Sequence, residues 1–484
     1  MLLLSPKEPN RGRLRCQFLG YGNTKPDDRE SLAQLCRNKG DLTYSLGAAL
    51  ASLLMLSACE SGVISAFPGI YSQSNRGGIV VADEPQAVLI AKNIIDTGGS
   101  AADAAVALGL ALSVTYQSAA GIGGGGLCTI FDAASGRAEA LNFTPEPALV
   151  RTSLARWQVS VPALPRGLFA LHAKYGKLPW QSLVIPAENL ARFGAPVTRA
   201  FAEILASASD SLVNDPDALD SFTSVRRTML KEGDRFIQLD MAALLGRIRG
   251  RTPGDFYSGS LAITLDQNAF SSGSSLGAED LRAYSPRWTE AHIVRGQGAN
   301  FHVNSRNIDL DFLESLLLQD KFEGSPLQTA VPASTGFVVA DANGNVVACT
   351  LTMIEPFGVG IMLERSGFLL APSVEHKVGG MPPLISLIAV ERSLGHVTFA
   401  AAAGGKGAAS RLAEVAIKTL ANSNSLEESY PTNQNTPRTS SSNERTPQVN
   451  AFACERGLSA NLEVCSVSSD PLGLGYGTVT FGDP

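Results

Sequence analysis

Charge is scarce in this chain, and histidine is scarcer. Charged side chains make up 17% of the 484 residues, the formal net charge is -6, and like charges form no block. A basic surface for nucleic acid or for anionic lipid is therefore not expected. The five histidines show no HExxH or other metal-ligand spacing, so we predict no metal centre.

The sequence supports neither a nucleotide-binding site nor a serine triad. Residues 121–126 match GxGxxG, but a small-residue helix precedes them and a strand follows, the reverse of the order in dinucleotide sites. Gly404, Gly405 and Lys406 lack the other residues of a phosphate loop, and no GxSxG occurs. We therefore expect no cofactor, and interpret residues 121–126 as a loop whose backbone closely approaches another group, such as a substrate.

The N-terminal region carries an export signal. An apolar run at residues 46–56 follows Arg37 and Lys39 and ends in the tetrapeptide Leu-Ser-Ala-Cys at Cys59. The run is too short to span a bilayer and ends in small residues, as a cleaved signal peptide does. The tetrapeptide resembles a bacterial lipobox, which implies that Cys59 is lipidated and is the only membrane anchor. Because Glu60 rather than Asp follows, we expect an exported lipoprotein on the periplasmic side of the outer membrane. A core helix ending at a buried cysteine is the alternative.

The other cysteines fall into two groups. Cys454 and Cys465 lie close together in a polar C-terminal segment, where an exported protein permits a disulfide. Cys128 and Cys349 lie in apolar runs that are typical of strands. We interpret these two as buried apolar side chains rather than reactive thiols.

Alternating helix and strand patterns indicate an α/β chain with a large core, since 44% of the residues are hydrophobic. Residues 421–448, rich in Ser, Asn, Thr and Pro, have no apolar period and predict a disordered linker. The principal predicted elements are strands at 79–82, 127–131, 337–340, 346–352, 384–390, 397–401 and 475–481, and helices at 85–95, 101–114, 164–175, 180–193 and 408–420.

A hydroxyl pair, Ser334 and Thr335, stands directly before the predicted hairpin whose turn is Asn343-Gly344. If the chain were cut before Ser334, the new α-amino group, with a pKa near ~8, could act as base for the neighbouring hydroxyl. The pattern is therefore compatible with an N-terminal nucleophile.

Several ordered motifs resemble the γ-glutamyltranspeptidase family. They are the block GGIVVADEPQAVLIAKNIIDTGGSAADAAVALGLALSV, the following AGIGGGGL, the DFYSG run at 255–259 and DANGNVVACTLT at 341–352, and the resemblance covers roughly residues 77–420. It implies a four-layer αββα sandwich of the N-terminal-nucleophile hydrolase type, of the α/β (α+β) class. It also implies self-cleavage into two halves that stay associated.

The resemblance also implies roles for individual residues. The threonine nucleophile of the family falls on Ser334, the second threonine of its doublet on Thr335, and its supporting strand threonine on Thr352. The glycine pair that binds the oxyanion falls on Gly404 and Gly405. A slip of one residue would make Thr335 the nucleophile instead.

The substrate-binding positions of the family have diverged. The arginine that binds the substrate α-carboxylate is replaced by Thr144, and the strand asparagine by Ile354. Residues 371–376 replace a stretch rich in Asn and Asp, and the serine pair falls near Pro383-Leu384. Glutathione recognition of the usual kind is therefore not expected.

Three hypotheses follow from these patterns. The first is a hydrolase or acyltransferase that cuts itself between Ala333 and Ser334 and acts on a small-molecule amide or γ-glutamyl-like bond. The second is a catalytically silent homologue with a binding or structural role in the envelope, and the third is an acylase for a non-glutamyl substrate. The predicted parts are a presequence and signal peptide (1–58), large-subunit-like (59–333) and small-subunit-like (334–420) parts, a linker (421–448) and a docking C-terminal segment (449–484).

Overall fold

The computed structural model describes residues 77–481, apart from 152, 208–211, 213–214, 225, 297, 320–332, 377–379, 422–424, 431–445 and 459–461. The predicted presequence and signal peptide (1–58), Cys59 and most of the predicted linker (421–448) lie outside the described residues. In the described part of that linker, Leu426–Ser429 forms a short helix with Leu426 buried. None of the described helices is long and apolar enough to cross a membrane.

One antiparallel sheet has seven strands, in the order β15-β1-β9-β10-β2-β3-β6. Strands from both sides of the Ala333–Ser334 bond contribute to it, and β1 is inserted between β15 and β9. The strands are β1 (Gly78–Ala82), β2 (Gly125–Asp132), β3 (Arg137–Phe143), β6 (Arg287–Glu290), β9 (Ser334–Asp341), β10 (Val346–Thr352) and β15 (Tyr476–Thr480).

A second antiparallel sheet has six strands, in the order β14-β13-β12-β11-β8-β7. Its members are β7 (His292–Arg295), β8 (Ala299–Arg306), β11 (Leu384–Glu391), β12 (Val397–Gly404), β13 (Val449–Cys454) and β14 (Cys465–Ser468). A two-stranded sheet pairs β4 (Ala195–Pro196) with β5 (Arg235–Phe236).

The described helices lie outside the two large sheets, some packed on a sheet and others on neighbouring helices. They are α1 (Pro85–Asp96), α2 (Ala101–Thr115), α3 (Leu164–Tyr175), α4 (Trp180–Phe193), α5 (Arg199–Ser207), α6 (Pro216–Ser221), α7 (Leu239–Ser258), α8 (Ser260–Ser271), α9 (Ala278–Ala283), α10 (Leu310–Leu317), α11 (Ala408–Ala421) and α12 (Leu426–Ser429). Every residue of α2 is buried, as expected for a helix that is apolar on all sides.

Successive side chains along β9 point into two different cores, one on each face of the seven-stranded sheet. Phe337 and Val339 point into a core shared with α1 and α2, whereas Val338 and Ala340 point into the core between the two sheets. A third core lies between the six-stranded sheet and helices α10 and α11. The layers are therefore α, β, β and α, which is the four-layer arrangement that the sequence predicted.

Two disulfides each join residues that face one another on neighbouring antiparallel strands. Cys454 and Cys465 join β13 to β14, and Cys128 and Cys349 join β2 to β10. Cys128 and Cys349 are buried, as predicted, but the sequence analysis did not foresee that they form a disulfide with each other. Strand pairing brings them together across 221 residues of sequence.

Candidate active site

Ser334 is the first residue of β9 and lies opposite Thr352, the last residue of β10. Its Oγ donates a hydrogen bond to Thr352 Oγ1 over 3.0 Å. The Ser334 side chain is 8% exposed, so the hydroxyl lies at the edge of the core. The structure thus brings together the predicted nucleophile and its predicted supporting residue.

The carbonyl that precedes Ser334 is held by two donors. Ala333 O accepts a hydrogen bond from Thr352 Oγ1 at 3.1 Å and from the Met353 N–H at 3.0 Å. Thr352 Oγ1 also accepts from the Ile354 N–H at 2.9 Å. With its one proton and two lone pairs all used, the Thr352 hydroxyl is fixed in orientation. This geometry polarises the peptide bond between Ala333 and Ser334.

Thr335 points away from this site, because consecutive strand residues face opposite sides of a sheet. Its Oγ1 donates to Asp83 Oδ2 at 2.7 Å, and the side chain is 1% exposed. Asn450 in turn donates to Asp83 Oδ1 at 2.7 Å. The geometry therefore favours Ser334 over Thr335 as nucleophile, and it adds Asp83 and Asn450, which the sequence analysis missed.

The glycine pair borders the nucleophile, but its two members differ. A Cβ on Gly404 would lie 2.5 Å from Ser334 Cβ, so only glycine lets β12 come this close. The Gly405 N–H instead donates to Pro383 O at 2.8 Å. Gly405 can therefore act in an oxyanion site only after this bond is broken.

The positions that bind glutamate in the family are occupied differently here. Thr144 donates both its N–H and its hydroxyl to the side chain of Asn142, at 3.1 and 2.9 Å. Ile354 is buried and has φ of 67°, a left-handed conformation that is unusual for a β-branched residue. Leu384 is buried in β11. None of these side chains offers a charge to a substrate.

Three charged side chains near these positions in sequence lie at the surface. Arg365 is largely exposed and pairs with its neighbour Glu364 over 3.4 Å. Lys406 and Glu375 are exposed as well. Among the residues that the structure describes, no group of His, Cys, Asp or Glu side chains could hold a metal ion.

The glycine-rich loop at residues 121–126 packs against the protein's own backbone. A Cβ on Gly124 would lie 2.3 Å from Thr352 O, and one on Gly126 would lie 2.3 Å from Thr350 O. Gly123 makes a parallel bridge with Leu370. The predicted close approach of backbone is therefore confirmed, and its partners are β10 and residues 369–370.

Comparison with known proteins finds similarity to one family. A family model described as gamma-glutamyltranspeptidase matches residues 87–308. The glutathione hydrolase proenzyme of Pseudomonas aeruginosa is 26% identical over 411 residues, covering 68% of this chain and 71% of the relative. These matches show that the chain is similar to the γ-glutamyltranspeptidase family. The family-model match ends upstream of Ser334, so it does not include the candidate nucleophile.

Two further comparisons define how far the likeness extends. Glutathione hydrolase 3 of Arabidopsis thaliana is 29% identical over 239 residues, but this match covers 47% of the chain and only 37% of that relative. The crystal structure of cephalosporin acylase from Bacillus halodurans has a TM-score of 0.66 at 17% identity. It covers 84% of this chain and 96% of the acylase, so the chain shares the fold of the acylase.

Proposed function

We propose that the chain is an N-terminal-nucleophile hydrolase or acyltransferase that cuts its own Ala333–Ser334 bond. Ser334 then attacks a small-molecule amide or γ-glutamyl-like bond. The observation that carries the proposal is the Ser334 Oγ to Thr352 Oγ1 contact beside a carbonyl that already accepts two hydrogen bonds. Similarity to the γ-glutamyltranspeptidase family supports it.

The cut begins when Ser334 Oγ attacks the carbonyl carbon of Ala333. Negative charge develops on Ala333 O, where Thr352 Oγ1 and the Met353 N–H already donate. The C–N bond breaks and its nitrogen takes up the hydroxyl proton, which leaves an ester and a free α-amino group. Water then hydrolyses the ester and releases Ala333 as a carboxylate.

Catalysis on a substrate uses the groups that the cut creates. The α-amino group of Ser334 accepts the proton of Oγ while Oγ attacks the substrate carbonyl. The proton passes to the leaving amine, and the acyl group remains on Ser334 as an ester. Attack by water completes hydrolysis, and attack by another amine completes acyl transfer. The N–H groups of Gly404 and Gly405 would stabilise the oxyanion once Gly405 leaves Pro383 O.

An acyl group without a free α-carboxylate fits this site better than glutamate does. Burying a carboxylate without a charged partner costs several kcal/mol. Thr144 is already engaged by Asn142, and Ile354 is apolar, so neither compensates for that cost. These replacements favour an acylase for a non-glutamyl amide within the proposed reaction class.

A catalytically silent homologue with a binding or structural role in the envelope is the second candidate. The hydrogen bond from the Gly405 N–H to Pro383 O favours it, because that bond occupies a donor that catalysis needs. For either candidate we propose lipidation at Cys59 and a place on the periplasmic side of the outer membrane. The support for this location is the sequence around Cys59.

A denaturing gel under reducing conditions tests the self-cleavage. We expect two fragments from the parent chain, a single band from Ser334→Ala, and two fragments from the matched control Thr335→Ser, which keeps both hydroxyls. N-terminal sequencing of the smaller fragment should begin at Ser334. A parent chain that stays whole on long incubation would refute the enzyme, and a fragment that begins at Thr335 would move the nucleophile by one residue.

A further inference from the structure

The beginning of β9 extends beyond its neighbour β1. The pairing of these strands runs from Gly78 opposite Asp341 to Ala82 opposite Phe337 and stops there. Residues 334–336 therefore pair along one edge only, with β10. We call these residues the overhang. It carries the candidate nucleophile, Ser334.

Two side chains occupy the edge that β1 leaves uncovered. Asp83, directly after β1, accepts a hydrogen bond at Oδ2 from Thr335 Oγ1 over 2.7 Å. Asn450, on β13 of the other sheet, donates to Gly336 O at 2.8 Å and to Asp83 Oδ1 at 2.7 Å. Asp83 and Asn450 are buried, at 3% and 0% exposure, so water competes little for these bonds. We call this pair of side chains the overhang clamp.

We propose that the overhang clamp keeps Ser334 in register once the chain has been cut. Before the cut, Ala333 tethers the overhang through the peptide bond and through two hydrogen bonds to its carbonyl. After the cut, that carbonyl belongs to the other fragment, and the overhang becomes a chain terminus paired along one edge. Such termini fray unless they are tied down. This role rests on the proposed self-cleavage.

Asp83 and Asn450 are positioning residues, because they contact Thr335 and Gly336 rather than the reacting atoms. Their loss should therefore affect the mature protein more than the uncut chain. A displacement of Ser334 by about 1 Å can reduce a rate by about 10²-fold. The uncut chain retains the Ala333 tether, so its self-cleavage should slow much less.

Hydrogen–deuterium exchange of residues 334–336 tests the clamp in the full-length protein after self-cleavage, with both fragments present and without any substrate. The variants are Asp83→Ala, Asn450→Ala and Thr335→Val, which loses the hydroxyl at constant size. We expect exchange in the overhang to rise about tenfold, corresponding to about 1.4 kcal/mol of local opening, with protection of residues 338–341 retained. Thr335→Ser keeps the hydroxyl and should exchange as the parent does.

Val339→Ala is the control for general destabilisation, because it removes buried methyl groups from the same strand away from the clamp. It should lower the melting temperature and leave the overhang protected. If it loosens the overhang as much as Asp83→Ala does, the clamp has no specific role. Unchanged exchange in both Asp83→Ala and Asn450→Ala would also overturn the proposal.

A second readout follows the nucleophile itself. The rate at which phenylmethanesulfonyl fluoride labels Ser334 in the cut protein, measured by mass spectrometry, should fall roughly 10–100-fold in Asp83→Ala. Equal labelling rates in Asp83→Ala and the parent would refute the positioning role. If the parent does not cut itself, the proposed function fails and the clamp loses its role with it. Unchanged exchange in the variants of a parent that does cut itself overturns the clamp alone.

Discussion

Thr352→Val should lower both the rate of self-cleavage and the stability of the fold, each for its own physical reason. The substitution keeps the shape of the side chain and removes Oγ1, which accepts from Ser334 Oγ, donates to Ala333 O and accepts from the Ile354 N–H. Thr352 is fully buried, so no water replaces these bonds. Two measurable losses follow, one in rate and one in stability.

The loss in rate comes from the developing oxyanion on Ala333 O. Removing one preorganised donor from such a site costs about 10²–10³-fold in rate, or about 2.7–4 kcal/mol. Because the Met353 N–H still donates to the same oxygen, we expect a value near the lower limit. The loss in stability comes from the Ile354 N–H, since a buried donor without a partner costs about 1–3 kcal/mol.

The assay follows the uncut fraction with time on reducing gels after synthesis of the chain, with chemical denaturation of the uncut Ser334→Ala chain as the stability reference. Thr352→Ser retains the hydroxyl and should cleave within about tenfold of the parent. If Thr352→Val cleaves at the parental rate, Thr352 does not contribute to the oxyanion site. The reasoning from its hydrogen bonds would then be wrong.

Three further predictions concern other parts of the chain. Burial raises the pKa of the Glu84 carboxyl above its ordinary 4.5, so the folded state binds this proton more tightly than the unfolded chain. The free energy of unfolding should therefore fall as pH rises above about 4.5. Glu84→Gln should flatten this dependence in denaturation measured from pH 4 to 8. Equal dependence of stability on pH in Glu84→Gln and the parent would contradict the prediction. The buried pair of Arg411 with Asp470, at 2.9 and 3.0 Å, ties α11 to the C-terminal segment. Arg411→Met should cost about 3–5 kcal/mol in thermal unfolding, part of which Asp470→Leu should recover; a cost under about 0.5 kcal/mol would refute a structural role. Cys59→Ser should release the protein from the membrane fraction, and continued membrane association would exclude the lipid anchor.

Local sequence signals predicted the elements that position the nucleophile. Asn343-Gly344 marks the turn between β9 and β10, and Gly344 has φ of 88° there. Ser100 and Asp103 form the capping box that starts α2, directly after the Gly98-Gly99 break. In such segments the residues that decide the structure are neighbours in sequence.

Contacts between distant segments were not predictable in this way. Asp83 and Asn450 are 367 residues apart in sequence, and nothing in either local pattern indicates the other. The hydrogen bond from Gly405 to Pro383 depends on the register of β11 and β12, which the sequence of neither strand fixes alone. The roles of such residues emerge only when the two sheets are assembled.

The Cys128–Cys349 disulfide has a consequence for a chain that cuts itself. Cys128 precedes the Ala333–Ser334 bond and Cys349 follows it, so hydrolysis of that bond would leave two polypeptides joined by a covalent bridge. The oxidised product would differ from its precursor by one molecule of water and could not dissociate on dilution. Self-cleavage would then change the connectivity of the molecule without separating its parts, and the two fragments would come apart only after reduction.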